Sequence, residues 1–261
     1  MKLVLILITL SLSQAWDYGN QGSWGGNCNS ITGSPRSLNI ENTSKISSSL
    51  QMKMAFLGYT GTQTITNTGN LIKIKSALGY IEVGDMNGRR IFNVESIEFH
   101  TPSEHKIGGT FYPMEMEIIC RIMDKYWERD KPNLAIVSVI IQNGKESYFL
   151  NTLDVMHWPN ATGNTLSLVP SSNINLREIV ANTDEYYHYK GTSTTPDLGF
   201  CQDEVLWYII KDVKEAAEWQ VKKITNLFEE SNTKTLVDTS TTLYQSDSVF
   251  YLVSLFILVI L

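Results

Sequence analysis

The sequence predicts a mainly β single domain with few helices, and three observations carry that expectation. Short β-branched runs recur between clusters of Asn, Gly and Ser, which is the pattern of sheet strands. Only one stretch has apolar residues at helical spacing. Of the 261 residues, 43% are hydrophobic, with 17 Gly, 7 Pro and 3 Cys. That suffices for one sizeable core and excludes collagen-like, disordered and disulfide-knot chains.

In chain order, residues 16–48 are rich in Gly, Ser and Asn and read as irregular loop wrapped on a domain. Leu71-Ile72-Lys73-Ile74-Lys75, Tyr80-Ile81-Glu82-Val83 and Leu134 to Ile141 read as strands. Lys214 to Phe228 reads as a helix, because Ala217, Val221, Ile224 and Phe228 fall on one face. No repeat, charged block or long linker interrupts the chain. With 21 Lys and Arg against 27 Asp and Glu, the net charge is −6, and the absence of a basic stripe argues against nucleic acid as a partner.

Both ends read as processing signals. Lys2, the apolar run Leu3 to Leu10 and small residues at Ser13 and Ala15 describe a secretory signal peptide over residues 1–15. The run is short of the roughly 20 residues of a helical span, so a buried strand or anchor is the alternative. Residues 249–261, Val249 to Leu261, are almost wholly apolar, with no Lys or Arg beyond them. Small residues at Asp238-Thr239-Ser240 and a polar stretch through Ser248 precede them, which is the pattern of a glycolipid-anchor signal whose tail is removed. A retained tail anchor or a core helix is the alternative. The expected organisation is a domain over 16–230, a polar spacer over 231–248 and the tail. A secretory route predicts one disulfide and one leftover among three cysteines, and makes the sequons at Asn42 and Asn160 usable for glycosylation.

The segment richest in chemistry is Ser96-Ile97-Glu98-Phe99-His100-Thr101-Pro102-Ser103-Glu104-His105, followed by Gly108-Gly109 and Tyr112 to Cys120. It reads as two strands joined by a turn. Positions i and i+2 share a face, so Glu98 sides with His100 and Glu115 with Glu117. One hairpin thereby gathers three carboxylates and an imidazole. A solvated charged face is the alternative.

Here the sequence resembles the α-class carbonic anhydrases. The run Thr101-Pro102-Ser103-Glu104-His105 matches their Pro-Ser-Glu-His turn, and weaker matches span most of the chain. They include Trp16-Asp17-Tyr18-Gly19, Ser34-Pro35, Asn67-Thr68-Gly69, Leu134 to Val137, and Tyr189 to Pro196 followed by Val205-Leu206-Trp207. The resemblance implies a central, largely antiparallel twisted sheet with few short helices. It also implies carbon dioxide and bicarbonate as ligands.

Residue by residue, the resemblance places the zinc positions on Glu98, His100 and Glu117, where the family carries three histidines. The proton-shuttle position falls on Asn70, which carries no proton near neutrality, and supporting positions fall on Ser96 and Glu115. Thr194 and Glu104 match the pair that orients the metal-bound hydroxide. Ile119, Ile136, Thr195 and Trp207 match the substrate pocket. Cys28 and Cys201 match the disulfide of secreted members, which leaves Cys120 free.

Three neutral imidazoles leave zinc its full charge and hold its bound water at the value known for carbonic anhydrases, about 7. Two carboxylates would cancel that charge and make the water a weaker acid. The sequence therefore predicts a secreted or surface-anchored protein with little or no carbon dioxide hydration. Its site would be metal-free, would hold zinc weakly, or would hold another divalent metal suited to oxygen ligands. The alternative is an active hydratase or weak esterase using a Glu/His/Glu-bound metal. No protein partner is specified.

Overall fold

The computed structural model describes residues 16–29, 33–38, 43–47, 50–57, 61–75, 77–84, 88–129, 131–168, 174–180, 185–196, 200–237 and 242–246. The expected leader, the sequon at Asn42 and the apolar tail lie outside them.

The strands of the first half are β1 (Gly25–Gly26), β2 (Ser37–Leu38), β3 (Thr43–Lys45), β4 (Met52–Phe56), β5 (Gln63–Asn67), β6 (Ile72–Lys75), β7 (Gly79–Val83) and β8 (Arg90–His100). Then come β9 (Lys106–Ile107), β10 (Thr110–Phe111), β11 (Met114–Ile122), β12 (Leu134–Asn143), β13 (Thr165–Leu168), β14 (Tyr186–Gly191), β15 (Phe200–Cys201), β16 (Val205–Ala216) and β17 (Leu243–Gln245). Two α-helices, α1 (Tyr148–Thr152) and α2 (Glu218–Thr225), are short.

Twelve strands form one sheet in the order β13-β5-β6-β8-β11-β12-β16-β14-β17-β3, with β4 joined through β7 to β8. Pairing in it is antiparallel except between β12 and β16 and between β17 and β3. The expected mainly β, largely antiparallel architecture is what the structure shows. The three runs read as strands are β6, β7 and β12.

The long strand β8 sets up the site. Its Cys120-side pairing with β11 slips by one residue, so Ile119 faces Ser96 while Cys120 faces Val94, and Glu95 is the extra residue of a bulge. A one-residue slip reverses which face a side chain occupies. Phe92 and Val94 accordingly point into the main core with Ile97 and Phe99, although their even numbers match Glu98 and His100. Ser96, Glu98 and His100 are freed for the opposite face. There a second, smaller core of Ile119, Ile136, Tyr189, Val205 and Trp207 packs.

Three readings of the sequence need correction. Lys214 to Ala216 is strand, because β16 stays paired with Ile141 to Asn143 of β12. The helix starts only at Glu218, where the Gln220 side chain accepts the Ala217 and Ser147 amide protons at 3.0 and 2.7 Å. Residues 16–48 are more ordered than a wrapped loop, since 3-10 turns and strands β1 to β3 lie within them. Within the supposed spacer 231–248, the described residues 231–237 and 242–246 belong to the fold: Asn232 and Lys234 are buried, and β17 pairs with both β14 and β3. Their polar side chains find partners inside the fold, which composition alone does not reveal.

Cys28 and Cys201 form a disulfide across 173 residues, packed with Tyr18 and Trp24, and Cys120 is free and buried. Among the described residues no helix is long and apolar enough to cross a membrane.

Candidate metal centre

The register of β8 with β11 pairs Glu98 with Glu117 and His100 with Glu115. Candidate ligand atoms of Glu98, His100 and Glu117 lie within 4.8 Å of one another, and all three residues are buried. His100 Nδ1 lies 2.8 Å from the Asn232 carbonyl, so the ring donates there and turns the Nε2 lone pair toward Glu117 Oε2, 3.7 Å away. His100 Nε2, Glu98 Oε2 and Glu104 Oε2 have no hydrogen-bond partner among the described residues. Unpartnered buried polar atoms are costly, and two of these three belong to the candidate ligands. A donor set of one imidazole and two carboxylates fits a divalent ion.

The carboxylates differ in state. Burial, then the charges of Glu104, Glu115 and Glu98, push the Glu117 carboxyl well above the usual range, toward its neutral form. The Thr194 hydroxyl is directed at Glu117, at 3.4 and 3.5 Å. Resemblance assigned that hydroxyl to Glu104, whose Oε1 instead accepts the Lys234 amide proton at 2.7 Å.

Glu115 is the opposite case. Burial by itself would raise its carboxyl, but the neighbouring His105 outweighs this and holds it well below the usual range. His105 Nδ1 donates to Oε1 at 2.7 Å, as does the Ser138 hydroxyl at 2.5 Å. The amides of Glu104 and His105 donate to Oε2 at 2.8 and 2.9 Å. His105 Nε2 also lies 2.7 Å from the Tyr189 hydroxyl, so this histidine is a structural link.

Lys73, on the strand beside β8, is one of three residues at the centre that the sequence did not point to. Its Nζ sits 2.6 Å from Glu98 Oε1. Alternation placed Lys73 and Lys75 on one face of a strand, but nothing in the sequence says which strand lies next to it. Asn232 and Lys234 were missed because they fall in the supposed spacer. Burial lowers the Lys234 ammonium to about 8 against the opposing pull of Glu104.

The centre opens into a cleft of 200 Å³ lined by Lys73, Glu98, Glu117, Ile119, Ile136, Ser193 and Thr195, among others. Trp207 is not on that lining. It is fully buried, donates from Nε1 to the Thr192 carbonyl at 2.8 Å, and lies against His105. Ser96 reaches Glu98 only at 3.5 Å. Asn70 lines a different groove, together with Asn160, and donates to the Trp16 carbonyl.

A large mixed, mostly antiparallel sheet with few helices, carrying a buried histidine and carboxyl groups beside one cleft, is the architecture of the carbonic anhydrase fold class. A family model of eukaryotic-type carbonic anhydrases matches residues 19–245, and the chain belongs to that family. It is 29% identical over 231 residues to the receptor-type tyrosine-protein phosphatase zeta of Homo sapiens, covering 79% of this chain and 10% of that protein. It is 31% identical over 140 residues to carbonic anhydrase Nec1 of Nesocodon mauritianus, covering 51% of this chain and 46% of that one. The chain thus spans about a tenth of the phosphatase and under half of the plant enzyme. Among solved structures, the α-carbonic anhydrase of Photobacterium profundum superposes with a TM-score of 0.71 at 21% identity, covering 87% of this chain and 95% of that one.

Proposed function

We propose that this chain is a secreted or surface-anchored carbonic-anhydrase-like protein with little or no carbon dioxide hydration, acting as a binding or structural module. One observation carries the reading: where the resemblance expects two histidine ligands stand carboxyl groups, one with the Lys73 ammonium 2.6 Å away and the other buried and pushed well above the usual carboxylate range. A divalent ion, if held by Glu98, His100 and Glu117, would supply Lewis acidity, but ligation needs both glutamates as carboxylates, whose charge would oppose acidification of bound water. Asn70 offers no proton relay, and the Thr194 hydroxyl is engaged with Glu117.

Secretion rests on the leader pattern and on the disulfide, which suits an oxidising compartment. Surface anchoring rests on the apolar tail, and glycosylation on the sequons at Asn42 and Asn160, of which Asn160 is exposed.

Stopped-flow hydration assays on the purified protein with zinc supplied test the reading. Turnover within about tenfold of an ordinary family member, equivalent to ~1.4 kcal/mol of barrier, would overturn it.

A second reading, a feeble hydratase or esterase, is favoured by the unpartnered His100 Nε2. It requires a stoichiometric divalent ion in natively purified protein and loss of activity with chelator. Installing Glu98→His with Glu117→His should raise zinc affinity under either reading, and tests whether the remaining cleft is competent.

A further inference from the structure

We propose that Lys73 is a tethered cation that competes with a metal ion for Glu98 and thereby sets how weakly the centre binds one. This rests on reading Glu98, His100 and Glu117 as a metal-competent set. The register of β6 with β8 places Lys73 directly opposite Glu98. Its ammonium lies 2.6 Å from Oε1 of a carboxylate that is only 2% exposed, while Lys73 itself is 31% exposed. Lys73 and Glu98 line the same cleft, so the side chain reaches in from the solvent side toward the ligand position. The other Glu98 oxygen and His100 Nε2 stay unpartnered.

An ammonium this close to a poorly hydrated carboxylate neutralises the charge that would attract a divalent ion. An entering ion must displace the ammonium or sit beside a fixed positive charge. Lysine suits this role, being a compact point charge on a flexible stem that can swing toward solvent.

Calorimetric titration of zinc, and separately of manganese, into the full chain and into Lys73→Met tests the proposal. The variant should bind at least about tenfold more tightly, whereas Lys73→Arg should bind as weakly as the parent. Adding Glu98→Gln to Lys73→Met should abolish the gain. An affinity of Lys73→Met within about twofold of the parent, or weaker, would overturn the proposal. Circular dichroism and thermal melts check that each variant is folded, and Lys73→Gln replaces Met if that variant is not.

Hydration plays no part in this readout. Tighter metal binding in an inactive protein supports the proposal. Unchanged affinity in an inactive protein overturns it while leaving the functional reading standing.

Discussion

The backbone carbonyl of Asn232 accepts the Nδ1 proton of His100 at 2.8 Å, across 132 residues of sequence. Asn232 also locks the end of β8 with its side chain, accepting the Thr101 amide proton at 2.7 Å and donating to the Phe99 carbonyl at 2.8 Å. Asn232→Ala removes both side-chain bonds in a buried setting and leaves their partners unsatisfied. It should cost about 2–4 kcal/mol, read from urea unfolding. A loss below about 0.5 kcal/mol would mean that water replaces the side chain at no cost.

Strand β17 makes the C-terminal part of the chain structural. Leu243 is 3% exposed, and β17 bridges β14 and β3. Ending the chain after Val237 should therefore lower the thermal midpoint by about 5 °C or more relative to ending it after Ser246, because an apolar side chain and two strand pairings are lost. Equal midpoints would show that β17 adds nothing. The same comparison bears on lipid attachment at Asp238-Thr239-Ser240, which would remove β17 together with the tail.

Glu115 and Glu117 share a face of one strand, yet their amide variants should behave differently. Glu115 is ionised and accepts four hydrogen bonds, two of them from the amide and the ring of His105. Glu115→Gln turns an amide NH2 toward donors that now meet a carboxylate, leaving buried hydrogen bonds unmade, and should cost about 2–4 kcal/mol. Burial and neighbouring carboxyl groups push Glu117 toward its neutral form, so Glu117→Gln is close to isosteric with it and should cost less than about 1 kcal/mol. Equal losses in denaturant melts would contradict the assigned protonation states.

His188 should make the fold acid-sensitive. Burial lowers its pKa from 6.5 to about 4, against the Trp207 carbonyl that accepts from Nδ1 at 2.8 Å and with Lys190 adding a small lowering. Tyr208 and Tyr244 cover the ring. The folded state thus keeps the ring neutral where the unfolded chain protonates it. Stability from this residue is complete above pH 6.5 and is lost as the pH falls toward 4, by on the order of 3 kcal/mol. A series of melts across that window should show the fall, and His188→Gln should flatten it. An unchanged slope in the variant would assign the acid response elsewhere.

Much of this protein is written locally in its sequence. Period-two alternation defined β6 and β7, an apolar run defined β12, and the side-by-side placement of Glu98 with His100 and of Glu115 with Glu117 followed from strand geometry. The motif around Pro102 to His105, together with the order and spacing of weaker matches along the chain, pointed to the family, and through it to the Cys28 to Cys201 bridge. What stayed hidden depends on contacts distant in the chain. The bulge at Glu95 shifts the face of β8 through its pairing with β11, and the helix after β16 starts late because β12 holds Lys214 to Ala216 in the sheet. Hydrogen bonds likewise draw residues 231–237 and 243–245 into the fold, against their polar composition. Local preference follows from each residue's own side chain, whereas the charge state of a buried carboxyl follows from its neighbours. The sequence, through its resemblance to the family, therefore placed glutamates where two histidines are expected. Only the tertiary structure set Lys73 against one of them and gave the other a burial and a ring of carboxyl neighbours that push it toward its neutral form.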